Sequence, residues 1–261
     1  MISILKEIIK YKDLLFMLTL RDIKIRYKQA IMGFMWAIFM PIIAILSGVI
    51  IKTAISFVSG KPLDLSDVAS ISAKVLPWTF FISSIKFAVN SLVGNRELVT
   101  KIYFPRAVFP FASIIACLFD FFIAAISITL LFAVIHIGIS IYILWLPLLL
   151  IMLILFTTGI GLFLSAANLF YRDVKYVVDV ILMFGIFFTP VFYEAKQFGK
   201  WEKLMLLNPI GSILEAINSS VVLHKSPDLF WVFYASITSI SMFFIGLIIF
   251  QKTEPLFAEN I

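Results

Sequence analysis

Apolar residues occur along this chain in long runs bounded by charged residues, the pattern of helices that cross a membrane. A spanning helix needs roughly 20 apolar residues. Six runs approach or exceed that length and predict spans at 31–57, 76–93, 107–135, 142–169, 174–193 and 229–250. Between Arg106 and Arg172 the only acidic residue is Asp120, so spans three and four form one hairpin that turns near HIGIS at 136–140. The pattern therefore predicts an all-α integral membrane protein with six transmembrane helices.

A further apolar run, LMLLNPIGSILEAINSSVVL at 204–223, contains residues that do not suit a helix exposed to lipid. These residues are Asn208, Pro209, Gly211, Glu215 and Asn218. Polar groups exposed to hydrocarbon are costly because nothing there satisfies them. We therefore expect short helices broken at NPIG and lying on the outer side near 196–224. A seventh span is the alternative.

Basic residues precede the first span in RDIKIRYKQAIMGFMWAIFMP at 21–41. On a helical wheel an apolar stripe lies beside the cations, although Leu18 and Ile25 interrupt it. The stripe consists of Phe16, Leu20, Ile23, Tyr27 and Ala30. This pattern predicts an amphipathic interface helix at 16–30, at the end of a cytoplasmic region 1–30 that precedes a transmembrane domain at 31–261. Its polar residues are Arg21, Asp22, Lys24, Arg26 and Lys28. Asp22 and Arg26 are four apart, a spacing that favours a surface pair.

The connection between spans two and three, GNRELVTKIYFPRAVFP at 94–110, has room for two or three helical turns at 95–104 before Pro105. A short rigid element held between two spans is suited to transmit a push from a soluble partner. An ordinary tight turn is the alternative. The residues assigned to contact with such a partner are Asn95, Arg96, Glu97, Leu98, Lys101 and Tyr103.

Composition excludes a large soluble domain. Hydrophobic residues make up 62% of the 261 and charged residues 14%, whereas soluble domains carry about 25% charged residues. Most of the 21 Lys and Arg residues fall on one side of the predicted spans, which places both termini in the cytoplasm. Lys86 and Asp120 remain inside spans, at depths too different for direct pairing, so we expect Lys86 to reach toward the cytoplasm and Asp120 to hydrogen-bond within the bundle.

No catalytic, cofactor or metal site is predicted. The sequence contains no GxxxxGK[ST] loop and no GxSxG motif, and the two histidines, His136 and His224, have no ligand cluster at metal-binding spacing. Cys117 is the single cysteine, so no intrachain disulfide forms. These absences favour a transport subunit energised by another chain. Two alternatives stay open, namely a polytopic membrane enzyme acting on lipid-linked sugars and a gradient-driven carrier in which Asp120 titrates.

Five segments resemble the membrane subunits of ABC-2 type exporters, which carry O-antigen, capsule or teichoic acid polysaccharides out of bacteria. They are RDIKIRYKQAIMGFMWAIFMP, NRELVTKIYFPRAVFP, NLFYRDVKY, FFTPVFY and LNP, spread over nearly the whole chain. The resemblance is closest to O-antigen permeases. It implies a homodimer in the bacterial inner membrane, two copies of a separate ATPase that binds ATP and Mg, and a polysaccharide cargo linked to undecaprenyl, with no nucleic acid. It also implies that 95–104 is the coupling helix, that 16–30 borders the ATPase, and that the short outer helices form a gate.

Aromatic residues on two predicted spans are candidates for the polysaccharide path. Positions 184, 188 and 192 recur every fourth residue along one face of span five, and positions 36 and 39 mark a face of span one. Sugar C–H groups pack well on aromatic faces. The candidates are Trp36, Phe39, Phe184, Phe188 and Phe192. Ordinary packing is the alternative for all five.

Overall fold

The computed structural model describes residues 2–28, 32–33, 35–60, 64–101, 104–134 and 136–257. These residues form helices joined by turns and irregular segments, with no strand among them. Three 3-10 helices lie at Ile141–Trp145, Ala195–Trp201 and Glu254–Leu256. The α-helices are α1 Ile2–Lys10, α2 Lys12–Tyr27, α3 Met35–Ser59, α4 Leu65–Gly94, α5 Arg96–Lys101, α6 Val108–Val134, α7 Leu146–Phe170, α8 Val174–Gly185, α9 Glu202–Leu206, α10 Pro209–Val221 and α11 Leu229–Thr253.

Five helices of the described chain are long and apolar enough to cross a membrane. They are α3, α4, α6, α7 with the 3-10 helix before it, and α11. The hairpin predicted from spans three and four is confirmed, because α6 and α7 are joined by a turn that includes 136–140. Ile31 and Ile135, the predicted limits of spans one and three, lie outside the described residues. The helix α5 lies at one end of the bundle (the α5 end) and α10 lies at the other (the α10 end).

The prediction of a continuous helix over 174–193 is wrong beyond Gly185. The helix α8 has 12 residues, which is about 18 Å at 1.5 Å per residue, against roughly 30 Å of hydrocarbon. Past Gly185 the chain turns, and Pro190 lacks the N–H that a continuing helix would use. The Thr189 hydroxyl donates to the Gly185 carbonyl at 2.8 Å, which satisfies one of the acceptors left at the helix end.

The central helix α4 is longer than the predicted span at 76–93. It begins at Leu65 behind a capping box in which the Asp64 and Asp67 side chains each accept from a backbone N–H. It packs against α3, α6, α7, α8 and α10, so most of its length is buried. Residues 65–75, which lie before the predicted span and so in a predicted loop, therefore belong to the bundle.

The helices α7 and α11 approach each other until their backbones touch. A Cβ added at Gly159 would meet the Met242 carbonyl, and one added at Gly246 would meet the Gly159 carbonyl. Small residues permit this approach between membrane helices, where packing rather than the hydrophobic effect holds helices together. The two helices consequently form one tightly packed pair.

The predicted break at NPIG is confirmed. The helix α9 ends at Leu206, and α10 begins at Pro209 after Asn208, whose side chain accepts from the Ile210 N–H at 3.2 Å. Asn before Pro is a favoured start for a helix. The helix α10 has 13 residues and is not among the helices long enough to span.

Candidate functional site

The short helix α5 is joined tightly to α4. Between them Asn95 donates from Nδ2 to the Ser91 carbonyl at 2.7 Å, and its own carbonyl accepts from the N–H groups of Leu98 and Val99 at 3.0 and 3.1 Å. The Val99 side chain is fully buried and Leu98 is half-buried. One side of α5 is therefore fixed in the core at the α5 end.

The other side of α5 is polar and open. Arg96 and Glu97 are both exposed, next to the buried Val99. Lys101 ends the helix, but its side chain and Tyr103 lie outside the described residues. A helix with one buried and one exposed side suits contact with a separate chain, and the role assigned to these residues stays a prediction.

One side of the helix α2 packs against α6, and another side exposes cations. Lys24 and Lys28 are exposed, whereas the Arg21 Nη2 and the Asp22 Oδ1 form an ion pair at 2.8 Å. The Ser113 hydroxyl of α6 donates to Asp22 Oδ2 at 3.2 Å. The predicted surface pair of Asp22 with Arg26 is therefore wrong, because each of the two charges has another partner.

The apolar stripe predicted on α2 was expected at the lipid boundary, and its contact with lipid stays a prediction. Phe16, placed in the stripe, is 62% exposed, while Leu18, which interrupted it, is buried. The side of α2 that faces the bundle is therefore the one that carries Leu18 and Arg26, while Phe16 of the stripe remains exposed. Ala30, the predicted end of the helix, lies outside the described residues, and α2 ends at Tyr27.

Asp120, inside α6, accepts hydrogen bonds from two α2 side chains. The Arg26 Nη1 donates to Asp120 Oδ2 at 2.6 Å, and the Tyr27 hydroxyl donates to Asp120 Oδ1 at 2.5 Å. The guanidinium also lies 3.7 Å from the ring centroid of Phe87. Burial and the hydrogen bond to Asp120 both raise the pKa of Tyr27, so its hydroxyl remains a donor. The prediction that Asp120 hydrogen-bonds within the bundle is confirmed, but the sequence did not reveal that its partners come from α2.

A cleft of about 390 Å³ opens beside this ion pair. Arg26, Tyr27 and Asp120 line one part of it, and Trp36 of α3 and Phe80 of α4 line another. In this cleft Trp36, a residue of the predicted polysaccharide path, lies near Arg26 of the interface helix.

The five predicted path residues do not share one surface. Trp36 and Phe39 are partly exposed and pack edge to face at 5.7 Å between centroids. Phe184 and Phe188 are 53% and 70% exposed, but only Phe184 belongs to α8. Phe192 is buried, at the position where a Cβ on Gly48 would strike its ring. The continuous aromatic face predicted for span five is therefore absent from the described chain, and the path role stays a prediction.

As expected, Lys86 does not pair with Asp120. It contacts Asp179 of α8 instead. The Lys86 Nζ lies 3.1 Å from Asp179 Oδ1, and both side chains are about half exposed. An exposed pair of this kind contributes little to stability. It does mark the side on which α8 lies against α4.

A buried ion pair at the α10 end was missed on sequence grounds. The Lys74 side chain is 1% exposed, and its Nζ donates to the Tyr193 carbonyl at 2.5 Å and lies 3.6 Å from Glu215 Oε1. Glu215 Oε1 also accepts from the Ala195 N–H at 2.9 Å. Burial raises the pKa of Glu215, opposed by Lys74 and by that N–H. The pair fastens the turn after α8 and the helix α10 to α4.

The signal for this pair is present in the sequence. Lys74 lies in the apolar stretch ISAKVLPW, and Glu215 lies in the apolar stretch ILEAI. Two opposite charges therefore each lie among residues that are usually buried. A charge in that setting is almost always paired. Because the predicted span two begins at position 76, Lys74 falls in a loop of the sequence prediction, where it would not be matched with Glu215.

Neither histidine is part of a metal cluster in the described part of the chain, where no group of three or more His, Cys, Asp and Glu side chains is placed to hold an ion. The His224 Nε2 lies 2.7 Å from the Gly138 carbonyl, which joins the segment before α11 to the turn of the α6–α7 hairpin. This histidine has a structural partner.

Comparison with known proteins agrees with this architecture. The family model described as ABC-2 type transporter matches residues 13–222. The O-antigen export system permease protein RfbA of Myxococcus xanthus is 26% identical over 266 residues, which cover all of both chains. Two proteins of the same name from Klebsiella pneumoniae are 26% and 27% identical, each across 95% of this chain and 94% of its own length.

Proposed function

Because the chain belongs to the ABC-2 type transporter family, we propose that it is the permease subunit of an ATP-driven exporter whose cargo is a polysaccharide of the O-antigen class. The observation that carries this proposal is the full-length similarity to proteins named as O-antigen export permeases. The five apolar spans and the absence of a nucleotide-binding loop from the sequence support it.

In this proposal ATP and Mg bind a separate ATPase subunit that contacts α5. Support comes from the two sides of that helix, with Val99 held in the core and Arg96 and Glu97 exposed. Displacement of a helix so fixed reaches the spans on either side of it, since packed interiors transmit strain. The chain itself performs no covalent chemistry.

The same proposal places the α5 end in the cytoplasm and the protein in the bacterial inner membrane. The exposed Lys24 and Lys28 of α2, together with the preponderance of Lys and Arg on that side, support this orientation. The termini are then both cytoplasmic, and α9 and α10 face outward as a gate.

We further propose that two copies of the chain enclose the path between their α3 and α8 helices. Both helices pack on α4, and large aromatic side chains are exposed on α3, at Trp36 and Phe39, and on or just after α8, at Phe184 and Phe188. Aromatic faces hold sugar rings without a fixed register, so a polymer linked to undecaprenyl can advance along them. Phe192 then supports the wall from behind.

Reconstitution tests the function. In vesicles that contain the chain and its ATPase, ATP should drive lipid-linked O-antigen across the membrane, and an ATPase variant unable to hydrolyse ATP should abolish export. The chain without the ATPase is the control, and it should move no polymer. Export by the chain alone under an ion gradient would identify a carrier, and glycan modification by the chain alone would identify an enzyme.

Removal of the exposed rings tests the path. The double variant Phe184→Ala and Phe188→Ala should slow export about tenfold, since each aromatic contact contributes about 0.5–1.5 kcal/mol. Phe233→Ala, which removes an equally exposed ring from α11, should leave the export rate unchanged. Equal rates in the double variant and the intact protein would mean that these rings serve packing or lipid contact.

A further inference from the structure

Arg106 lies where α5, α6 and the end of α11 meet, and its side chain binds two of these elements at once. Its Nε donates to the Val99 carbonyl at 3.3 Å, and its Nη1 donates to the Glu254 carbonyl at 3.0 Å. Its backbone N–H donates to Glu254 Oε1 at 2.7 Å. One guanidinium therefore joins α5 to the segment Glu254–Leu256, which follows α11.

Both carbonyl groups lie at the ends of helices. The last four carbonyl groups of an α-helix have no partner within the helix, and Val99 and Glu254 stand at the ends of α5 and α11. A cation beside such a terminus is also favoured by the helix dipole. Arg106 thus satisfies two helix ends together, and Lys with its single ammonium group lacks the forked donor geometry that fits both.

Apolar packing surrounds this link. The side chains of Val99 and Phe257 are fully buried in one cluster at the α5 end. The Phe257 ring lies 5.2 Å from the ring of Phe250 and 5.9 Å from that of Phe170, measured between centroids. Hydrogen bonds in such a low-dielectric setting are stronger than in water. The end of α11 is therefore held firmly against both α5 and the end of α7.

From α11 the connection continues into α7. The backbones of the two helices touch at Gly246 and Gly159, so they cannot slide or separate without breaking that contact. The chain itself links α5 directly to α4 and α6 and to neither of these two helices. Packing of α4 on α7 gives α5 an indirect route to α7, and a contact with the end of α11 would give it a direct route to the α7–α11 pair.

We propose that Arg106 is a positioning residue that carries the displacement of α5 to α11 and, through the glycine contact, to α7. This inference rests on the proposed function, in which an ATPase pushes on α5. It assigns to Arg106 a part in coupling ATP hydrolysis to export, whereas in the sequence Arg106 marks only the charged boundary before span three.

The test is the number of polymer chains exported per ATP hydrolysed, measured on the complex in vesicles. Arg106→Met keeps the backbone N–H and the apolar length but removes the guanidinium. It should leave the ATPase bound and hydrolysing at the wild-type rate, and should lower export per ATP about tenfold, because the hydrogen bonds of a charged donor are lost. Arg106→Lys should give an intermediate ratio. Lys252→Met is the control, since this exposed cation on α11 has no hydrogen bond or ion pair with the described residues.

A wild-type ratio in an assembled Arg106→Met complex would overturn the inference. If that variant does not assemble, Arg106→Lys decides in the same way, and failure of both to assemble would assign Arg106 to folding alone and equally overturn it. The proposed function fails separately, if the wild-type complex hydrolyses ATP and exports no polymer. The two failures are therefore distinguishable in one set of measurements.

Discussion

Replacement of Lys74 by Met should lower the free energy of unfolding by about 3–5 kcal/mol, the usual cost of leaving one member of a buried ion pair without the other. Lys74 is almost completely buried, and its ammonium contacts both Glu215 and the Tyr193 carbonyl. Met fills a similar volume, so the loss arises from the charge and the hydrogen bond rather than from a cavity. Thermal unfolding of the purified protein in detergent measures it.

The deficit of Lys74→Met should depend on pH in a defined direction. Burial raises the pKa of Glu215, and Lys74 is the first of the groups that oppose this, so its removal raises that pKa further. A carboxyl group whose pKa is higher in the folded than in the unfolded state binds more protons when folded, so stability falls as pH rises. The deficit should therefore grow above the ordinary Glu pKa of about 4.3 and shrink below it.

Two further variants distinguish loss of the ion pair from a nonspecific loss of stability. The double variant Lys74→Met with Glu215→Gln keeps an acceptor for the Ala195 N–H and removes both charges, so it should recover most of the lost stability. Lys52→Met removes a cation that pairs with Asp67 at 3.2 Å in a less buried setting, and should cost about 1 kcal/mol or less. Equal losses in Lys74→Met and Lys52→Met would contradict the argument.

The spans were predictable from sequence where length and composition alone decide them. α3, α6, α7 and α11 each lie within a few residues of a predicted run, because about 20 apolar residues in succession have few alternatives in a membrane. The segment 174–193 is also largely apolar, yet α8 stops at Gly185. Its end depends on Pro190 and on bonds to distant groups, such as that of Lys74 to Tyr193, which hydropathy does not register.

The candidate site was less predictable because its charges find partners far along the chain. Sequence spacing favoured Asp22 with Arg26, but a surface pair four residues apart contributes only about 0.2–0.5 kcal/mol. The Arg26 guanidinium instead reaches Asp120 on another helix, in a partly buried position where charge-assisted hydrogen bonds are stronger. The exposed side of α5 could be predicted from the local sequence. The link of α5 through Arg106 to Glu254 could not, because Arg106 and Glu254 are far apart in the sequence and meet only in the folded chain.

The contact of α7 with α11 carries the second large effect, and Gly246→Ala should destabilise the protein by about 3 kcal/mol. A methyl group at this position would meet the backbone carbonyl of Gly159, and a backbone group cannot rotate away as a side chain would. The helices would have to separate along their whole line of packing. Ala is the better helix former by about 1 kcal/mol, so the steric effect must exceed that gain for the sign to hold.

Gly94→Ala is the matched control, because an added Cβ there meets nothing within 4 Å and the backbone is not left-handed. It should leave the unfolding temperature unchanged or slightly raised, while Gly246→Ala lowers it. Gly159→Ala, whose Cβ would meet the Met242 carbonyl of α11, should lower it as much as Gly246→Ala does. The double variant should lose less than the sum of the two single losses, since once the helices have separated the second methyl group meets an opened contact. Full additivity, or stability unchanged in either single variant, would show that α7 and α11 are not in backbone contact, and Arg106 could then not drive α7 through α11.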